Sequence, residues 1–232
     1  MKLTDEQLAR LLDSTIYSWD VSSHLSGIVD FLDFSERNLA WQREREVRRA
    51  EAEARDLEFD EESTRFEAQA RDQIVDSARL RFDIGLARNV RYAGLVAYVT
   101  AIEWCMDLFE GRLAVSAPKR PGGVNKAVHL FAHFNASAGG AWTKHVEGFR
   151  RVVYVRNCVV HNVGRVRNWK YEQAVRRAIA ALPGFAVADA SFEGPSVDLA
   201  AGAVDCLARE ALDWVPALDE ACSRSRVFRT AA

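Results

Sequence analysis

The sequence lacks any long apolar run. No stretch of roughly 18 apolar residues, about the length of a helix that spans a membrane, occurs among its 232 residues. Charged side chains interrupt the first thirty residues throughout, at Asp5, Glu6, Arg10, Asp13 and Asp20, whereas a signal peptide needs an uninterrupted apolar core. We therefore expect a cytoplasmic protein without membrane contact.

Cysteine is also scarce. Three of the four cysteines lie among apolar neighbours, and none forms a C-x-x-C pair; they are Cys105, Cys158, Cys206 and Cys222. Scattered cysteines of this kind are typical of reduced thiols in a cytosolic core and do not indicate disulfides or zinc.

Only one pair of histidines has a spacing that metal ligands use. His129 and His133 lie four residues apart on a predicted helix, but no acidic residue or third histidine is close by, so packing beside Phe131 and Phe134 is the better interpretation. Neither a G-x-S-x-G hydrolase motif nor a G-x-x-x-x-G-K phosphate-binding motif occurs. The sequence predicts a site without a metal or a cofactor.

Proline and glycine are few and clustered. The five prolines and 13 glycines leave long stretches with apolar residues at spacings of three and four, which indicate amphipathic helices. The pattern predicts an all-α bundle with helices over residues 80–109, 125–136, 143–162 and 200–222. Residues 116–123 should form a loop, because they contain two prolines and two glycines. Residues 187–199 should form a loop or a short two-strand excursion before the last helix.

The first third of the chain has an amphipathic part and a charged part. Residues 4–34 have the spacing of two short helices or one bent helix, beginning at a capping box around Thr4. Residues 36–72 contain eight arginines and 12 acidic residues, which favours a long solvated helix. Pairing with another helix near Leu57, Phe66, Ile74 and Val75 is the alternative. We therefore expect a helical extension over residues 1–79, a helical domain over residues 80–222 and a tail over residues 223–232.

Positive charge is concentrated in one segment of this weakly acidic chain. Residues 143–177 contain nine basic and two acidic residues, a net charge of +7, although the whole chain has a net charge of -2. Aromatic residues within such a segment can stack on unpaired RNA bases. The candidate RNA-binding residues are Arg150, Arg151, Arg165, Arg167, Trp169 and Lys170, with Tyr171 as a second stacking residue. Alternatively, the arginines solvate a surface and the aromatics belong to the core.

The helix predicted over residues 143–162 contains an arginine on its apolar stripe. Arg156 follows the spacing of Phe149, Val152, Val159 and Val163. An unpaired arginine in apolar surroundings costs several kcal/mol, so Arg156 must face a cleft, a partner subunit or a carboxylate. Local propensity would also allow a strand at residues 152–155, but the stripe favours helix.

Five residues after Arg156 stands a histidine, His161. A spacing of five separates the two side chains by about 140° on a regular helix, whereas Asn157 shares the face of His161. The two groups can reach one atom only if the last turn loosens near Gly164, a good left-handed cap, or if a second copy of the chain completes the site across a two-fold axis.

The segment Arg-Asn-Cys-Val-Val-His, residues 156–161, followed by Asn162, resembles the R-x(4-6)-H signature of the HEPN superfamily. The resemblance extends over residues 80–222, which include a core helix before the motif and a closing helix after it. It implies a compact, commonly dimeric helical bundle and a metal-independent endoribonuclease of the kind found in toxin–antitoxin and phage-defence systems. The subgroup that is controlled by tyrosine adenylylation has a tyrosine where this chain has Val163, so we do not expect that control.

The resemblance also implies roles for individual residues. His161 would act in acid–base catalysis on the ribose 2'-hydroxyl or the departing 5'-oxygen, and Arg156 would stabilise the charge on the transferring phosphate. Asn157 would position the phosphate or His161, and Asn162 is a supporting residue. Our own hypothesis is that Glu103, on the preceding core helix, orients Arg156; an exposed acid without such a role is the alternative.

Two other functions remain open from the sequence. The chain could be a non-catalytic HEPN or helical scaffold in which Arg156 and His161 bind a nucleotide, RNA or a protein partner. It could also be a helical interaction protein whose charged residues 36–72 bind another coiled coil. For the nuclease, the expected partners are a second copy bound through the motif helix, a tRNA or mRNA substrate, and an antitoxin or defence-system protein.

Overall fold

The computed structural model describes residues 5–58, 66–189, 194–225 and 227–228, with side chains from Trp19 onward. The predicted capping box at Thr4 and the apolar side chains before Trp19 lie outside this description. The elements in chain order are α1 (Asp5–Asp56), α2 (Glu67–Leu80), a π-helical turn (Arg81–Leu86), α3 (Ala87–Arg112), α4 (Lys126–Ser137), α5 (Thr143–Asn162), α6 (Glu172–Ala180), β1 (Phe185–Ala188), β2 (Ser196–Leu199) and α7 (Ala203–Arg224).

The prediction of an all-α bundle with a short extended excursion before the last helix is confirmed. Strands β1 and β2 pair antiparallel, with Phe185 opposite Leu199 and Ala188 opposite Ser196. An isolated bridge joins Arg165 to Ser196. The excursion therefore lies directly beside the end of α5, which carries the candidate site.

The predicted division of the N-terminal third is wrong. Residues 5–56 form one continuous helix, α1, and the charged segment continues as a second helix, α2, only from Glu67. Residues 5–56 contain no proline and a single glycine, Gly27. Because a single glycine costs a helix only about 1 kcal/mol, it does not separate two helices.

Helices α1 and α2 pack against each other. Arg71 of α2 donates from Nη2 to the backbone carbonyl of Leu57 at 3.1 Å, and Arg79 lies 3.8 Å from Glu51 of α1. None of the described residues of α2 is buried. The charged segment is therefore largely solvated, as expected, and it pairs with a helix of its own chain.

The apolar core is centred on α3. Leu95, Val99, Ile102 and Phe109 of α3 are inaccessible to solvent, and residues of α1 such as Leu25 belong to the same core. A Cβ at Gly94 of α3 would come within 2.6 Å of a methyl carbon of Leu32 of α1, so this glycine permits the close approach of the two helices. The boundary at residue 79 stays a prediction, and the core extends across it.

The cysteines of the described residues carry free thiols. Cys105, Cys158 and Cys222 are buried, and Cys206 is exposed. Burial raises the pKa of all three buried thiols above the ordinary value, to about 11 for Cys158 and about 12 for Cys222. They therefore act as small apolar side chains in the core. Among the described residues no helix is both long and apolar enough to cross a membrane.

Candidate functional site

The motif helix has the bounds that its pattern predicts. Helix α5 runs over Thr143–Asn162, so the alternative of a strand at residues 152–155 is wrong. Val152, Val155 and Val159 are buried against the rest of the bundle, and this helical stripe outweighs the strand propensity of β-branched residues.

The end of α5 is tightly constrained. Both Val163 and Gly164 have left-handed backbone conformations, with φ of 53° and 77°. Their N–H groups donate to the carbonyl of Cys158, the bond from Gly164 measuring 3.1 Å. Gly164 is left-handed as expected, but the residue that caps the helix is Val163. The chain turns there, and for this reason Val163 is exposed and does not extend the buried stripe.

Tyr92 of α3 and strand β2 hold this turn in place. A Cβ at Gly164 would clash with the Tyr92 hydroxyl, which itself donates to the carbonyl of Val197 at 2.6 Å. The N–H of Val197 in turn donates to the carbonyl of Gly164 at 2.8 Å. Only a glycine fits between the phenol and the strand, so the position of the residues that follow α5 depends on this contact.

Arg156 faces the interior of the bundle. Its side chain is 18% exposed and forms an ion pair with Glu103 of α3 through Nη2 and Oε1. Asn125 donates to the same carboxylate oxygen at 3.0 Å, and its own side-chain oxygen caps α4 by accepting from the N–H of Val128 at 3.1 Å. Glu103 therefore makes the contact that the sequence hypothesis requires, and the effect of that contact on catalysis stays a prediction.

One N–H donor of Arg156 has no partner in this network. Nε of Arg156 is buried and has no hydrogen-bond partner among the described residues. The guanidinium is thus held by Glu103 through Nη2, and its Nε remains without a described partner.

His161 lies on a different side of α5 and is exposed. Its ring is nearly parallel to that of Trp169, with centroids 6.3 Å apart and an interplanar angle of 11°. Trp169 meets Tyr171 edge to face at 6.0 Å, and Tyr171 meets Tyr154 at 6.5 Å. We call these four rings, Tyr154, His161, Trp169 and Tyr171, the aromatic surface.

Tyr154 is the member of the aromatic surface that sequence reasoning missed. It stands seven residues before His161, which is close to two helical turns, so both side chains project from the same face of α5. That spacing was the signal that could have identified it. Trp169 packs partly against the core, whereas Tyr171 is exposed, so the alternative that assigned these aromatics to the core holds for Trp169 alone.

Lys170 lies against the aromatic surface, and further basic side chains of residues 143–177 are exposed. Lys170 Nζ lies 4.8 Å from the centre of the Tyr171 ring, and Arg151 and Arg167 are exposed. Arg150 is also exposed but pairs with Glu147 at 2.8 Å. An open cavity of about 510 Å³ is lined by residues 169–174. Tyr171 and Lys170 thus present an exposed ring and a cation side by side.

Asn162 and Arg165 take part in the turn itself. The Asn162 side-chain amide donates to the backbone carbonyl of Arg165, and the Cys158 thiol donates to the same oxygen at 3.3 Å. Asn162 thus stabilises the turn through these contacts. Asn157 is half-buried on α5, on the side of His161, as its spacing predicts.

The structure does not bring Arg156 and His161 together within one chain. Helix α5 is regular through Asn162, so the two side chains remain about 140° apart around its axis. The expected alternative of a loosened last turn is therefore wrong. Completion of the site by a second copy stays a prediction.

The two histidines of α4 are engaged in other contacts. His129 Nε2 lies 2.8 Å from the carbonyl of Pro118, and the ring of His133 lies 5.8 Å from that of Phe134. Burial lowers the pKa of His133. Across the described part of the chain, no group of three or more His, Cys, Asp or Glu residues is placed to hold a metal ion.

No family model, curated protein or solved structure matches this chain. The resemblance to the HEPN superfamily thus stays a prediction that depends on the motif residues and their arrangement.

Proposed function

We propose that this protein is a metal-independent endoribonuclease of the HEPN type. The observation that carries the proposal is the exposed His161 imidazole, which is stacked on Trp169 beside Lys170 at the end of a helix whose Arg156 is held by Glu103. An accessible imidazole next to stacking rings and cations is suited to proton transfer on bound RNA.

The reaction divides between the two motif residues. A 2'-hydroxyl attacks the adjacent phosphorus, the 2'-oxygen–phosphorus bond forms and the bond to the 5'-oxygen breaks, which leaves a 2',3'-cyclic phosphate and a 5'-hydroxyl. His161 accepts the 2'-hydroxyl proton or donates one to the 5'-oxygen. Arg156 stabilises the negative charge on the pentacoordinate phosphate.

A second copy of the chain brings together the two motif residues, Arg156 and His161, which a single α5 keeps apart. If two motif helices meet across a two-fold axis, Arg156 of one copy and His161 of the other can face the same phosphate. Glu103 would then keep the Arg156 side chain extended in advance of RNA binding, and Asn157, beside His161, would contact the phosphate or the imidazole. The substrate would be a tRNA or an mRNA, and the protein would act as a toxin or phage-defence effector with a controlling partner protein.

RNA binding would use the aromatic surface. Trp169 and Tyr171 would stack on unpaired bases, a contact worth about 1–3 kcal/mol per base, and Lys170 and Arg167 would contact phosphates. Because phosphate contacts release counterions, affinity should fall steeply with salt.

The direct test is cleavage of total RNA by the purified protein in EDTA. The wild type should generate fragments that end in a 2',3'-cyclic phosphate, and Arg156→Ala and His161→Ala should each lose this activity. His129→Ala, a histidine of α4 outside the site, is the matched control and should keep full activity. Absence of cleavage by the wild type with every RNA tested would refute the nuclease.

A non-catalytic RNA-binding scaffold is the second candidate. The observation in its favour is that Glu103 neutralises Arg156 within the bundle and that His161 lies on another side of α5. In that case fluorescence anisotropy would show tight binding of single-stranded RNA without cleavage. Trp169→Ala would weaken that binding, and Arg156→Ala would leave it unchanged.

A further inference from the structure

A single arginine of α3, Arg91, joins α1 to strand β2. Its Nε and Nη2 donate to the two carboxylate oxygens of Glu36 in α1, at 2.6 and 3.0 Å. The third nitrogen, Nη1, donates to the backbone carbonyl of Leu199 in β2 at 2.9 Å. The side chains of Arg91 and Glu36 are 20% and 23% exposed, so solvent screens them less than a surface ion pair. Because a guanidinium is planar, the contact with Glu36 also fixes the position of Nη1.

Arg91 and its neighbour Tyr92 contact the same edge of β2. Tyr92 donates to the carbonyl of Val197 at 2.6 Å, two residues before Leu199, and carbonyls of alternate residues point to the same edge of a strand. The N–H of Val197 points to this edge as well, because it donates to Gly164, so β1 pairs with the opposite edge. Two adjacent side chains of α3 thus satisfy carbonyls that the edge would otherwise leave unpaired.

The remaining backbone contacts connect β2 to the turn after α5. The N–H of Val197 donates to the carbonyl of Gly164 at 2.8 Å. The N–H of Val166 donates to the carbonyl of Pro195, the residue before β2, at 2.9 Å. Trp169 follows in the chain, and its N–H donates to the carbonyl of Val166 at 3.3 Å. The position of Trp169 in the aromatic surface therefore depends on where β2 lies.

We infer that Arg91 and Glu36 are positioning residues of the aromatic surface. The ion pair between them fixes β2 against α3, β2 fixes the turn after α5, and the turn fixes the stacking of Trp169 on His161. Helix α1 lies outside the HEPN-like domain predicted over residues 80–222, and through Glu36 it supports the site. The inference deepens the proposed function and rests on it for the binding of RNA, whereas the ring geometry exists without RNA.

Arg43 provides a matched comparison. It forms an ion pair of the same geometry, from Nε and Nη2 to the two carboxylate oxygens of Asp83 in the π-helical turn, at 2.6 and 2.8 Å. No hydrogen bond between Arg43 and β2 is present in the described part of the chain. Arg91→Met and Arg43→Met therefore each remove one ion pair of α1, and only Arg91→Met also removes a bond to β2.

Proton NMR of the histidine rings in the full chain tests the inference without RNA. The Cε1–H signal of His161 is identified by its absence from His161→Ala, and Trp169→Ala shows where the signal lies without the neighbouring ring. In Arg91→Met the signal should move towards that second position, and in Arg43→Met it should keep its wild-type position. The histidines of α4 and of the first turn of α5 provide reference signals that should not move in either variant: His129, His133 and His145.

RNA binding gives a second readout. In fluorescence anisotropy, Arg91→Met should raise the dissociation constant for single-stranded RNA at least about fivefold, the effect of one lost stacking contact. Arg43→Met should leave this constant unchanged. Glu36→Gln keeps an oxygen acceptor for Arg91, so it should change both readouts in the same direction and by less. It also decides the matter if Arg91→Met does not fold.

Three results overturn the inference. The first is a His161 signal that keeps its wild-type position in Arg91→Met, or in Glu36→Gln where Arg91→Met does not fold. The second is an equal movement of the signal in Arg43→Met. The third is an equal movement of all histidine signals, because this indicates a general loss of structure. If the wild type binds no RNA but the His161 signal alone responds to Arg91→Met, the inference holds and the proposed function fails.

Discussion

The two sides of α5 hold the motif residues in different ways. Arg156 is mostly buried and is fixed by Glu103, which is itself fixed by the residue that caps α4. His161 is exposed, and its contact is a ring, Trp169, beyond the end of the helix. The first side resembles a structural network in which one buried donor, Nε of Arg156, has no described partner, and the second resembles an open binding surface.

This difference indicates which residues set the geometry and which are free to act. A guanidinium held by a carboxylate keeps its position before any ligand arrives, so in the proposed nuclease its contribution would be preorganised. An exposed imidazole can reach an incoming hydroxyl, and its position depends on the turn at Gly164. Changes on the first side should therefore alter stability and activity together, and changes on the second should separate them.

The largest effect is expected from Gly164→Ala. The added methyl group meets the Tyr92 hydroxyl and must adopt a left-handed conformation, so the free energy of unfolding should fall by roughly 2–4 kcal/mol. The matched control is Gly123→Ala, which has a similar φ of 78° and no described atom within 4 Å of the added Cβ, and should lose only about 1 kcal/mol. Chemical denaturation measures both; equal losses would show that the Tyr92 contact is unimportant.

A smaller loss is expected from Glu103→Gln. The substitution leaves the Arg156 guanidinium without its counter-charge, which should reduce the free energy of unfolding by about 1–3 kcal/mol and lower RNA cleavage. Glu147→Gln, which affects the exposed pair with Arg150, is the control and should cost less than about 0.5 kcal/mol. If cleavage by Glu103→Gln equals that of the wild type, Glu103 does not orient Arg156.

The free energy of unfolding should also depend on alkaline pH through Tyr92, which contacts the turn at Gly164. Burial raises the pKa of Tyr92 to about 12, so between the ordinary value near 10 and about 12 the unfolded chain releases a proton that the folded chain retains. Stability that is present below about pH 10 is therefore lost as pH rises, by up to about 1.4 kcal/mol per pH unit. Denaturation of Tyr92→Phe at several pH values should give a shallower slope; an unchanged slope contradicts the assignment.

The smallest effect on stability is expected from His161→Ala. The ring is exposed and makes no described hydrogen bond, so the free energy of unfolding should change by less than about 0.5 kcal/mol. Cleavage should nonetheless be lost. A large loss of stability would show that the contact with Trp169 stabilises the turn after α5. In that case the two sides of α5 would not differ in the way described above.

Local patterns in the chain were sufficient for much of the fold. The apolar stripe and the glycine after it predicted α5 with its bounds, and the cluster of prolines and glycines predicted the loop at residues 116–123. The continuous helix α1 was missed because a change in composition from amphipathic to charged is not a break in the backbone, and Gly27 alone does not supply one.

The site was predictable to the extent that it lies on one helix. The spacing of five residues was sufficient to place Arg156 and His161 on different sides of α5. Because an arginine on an apolar stripe requires a partner such as a carboxylate, Glu103 of the preceding core helix could be suggested for that role. Tyr92 was not predictable, because its contacts with Gly164 and Val197 join positions about 70 and 105 residues away in the sequence.

The amino-acid sequence by itself determined the helical class, the concentration of positive charge around α5 and the residue types of the motif, since these depend on local spacing and composition. Only the tertiary structure decided that Glu103 and Asn125 meet Arg156, that Trp169 stacks on His161, and that aromatic residues of α1 remain exposed. Packing between distant segments sets which side chains find partners inside the chain, and no local pattern contains that information.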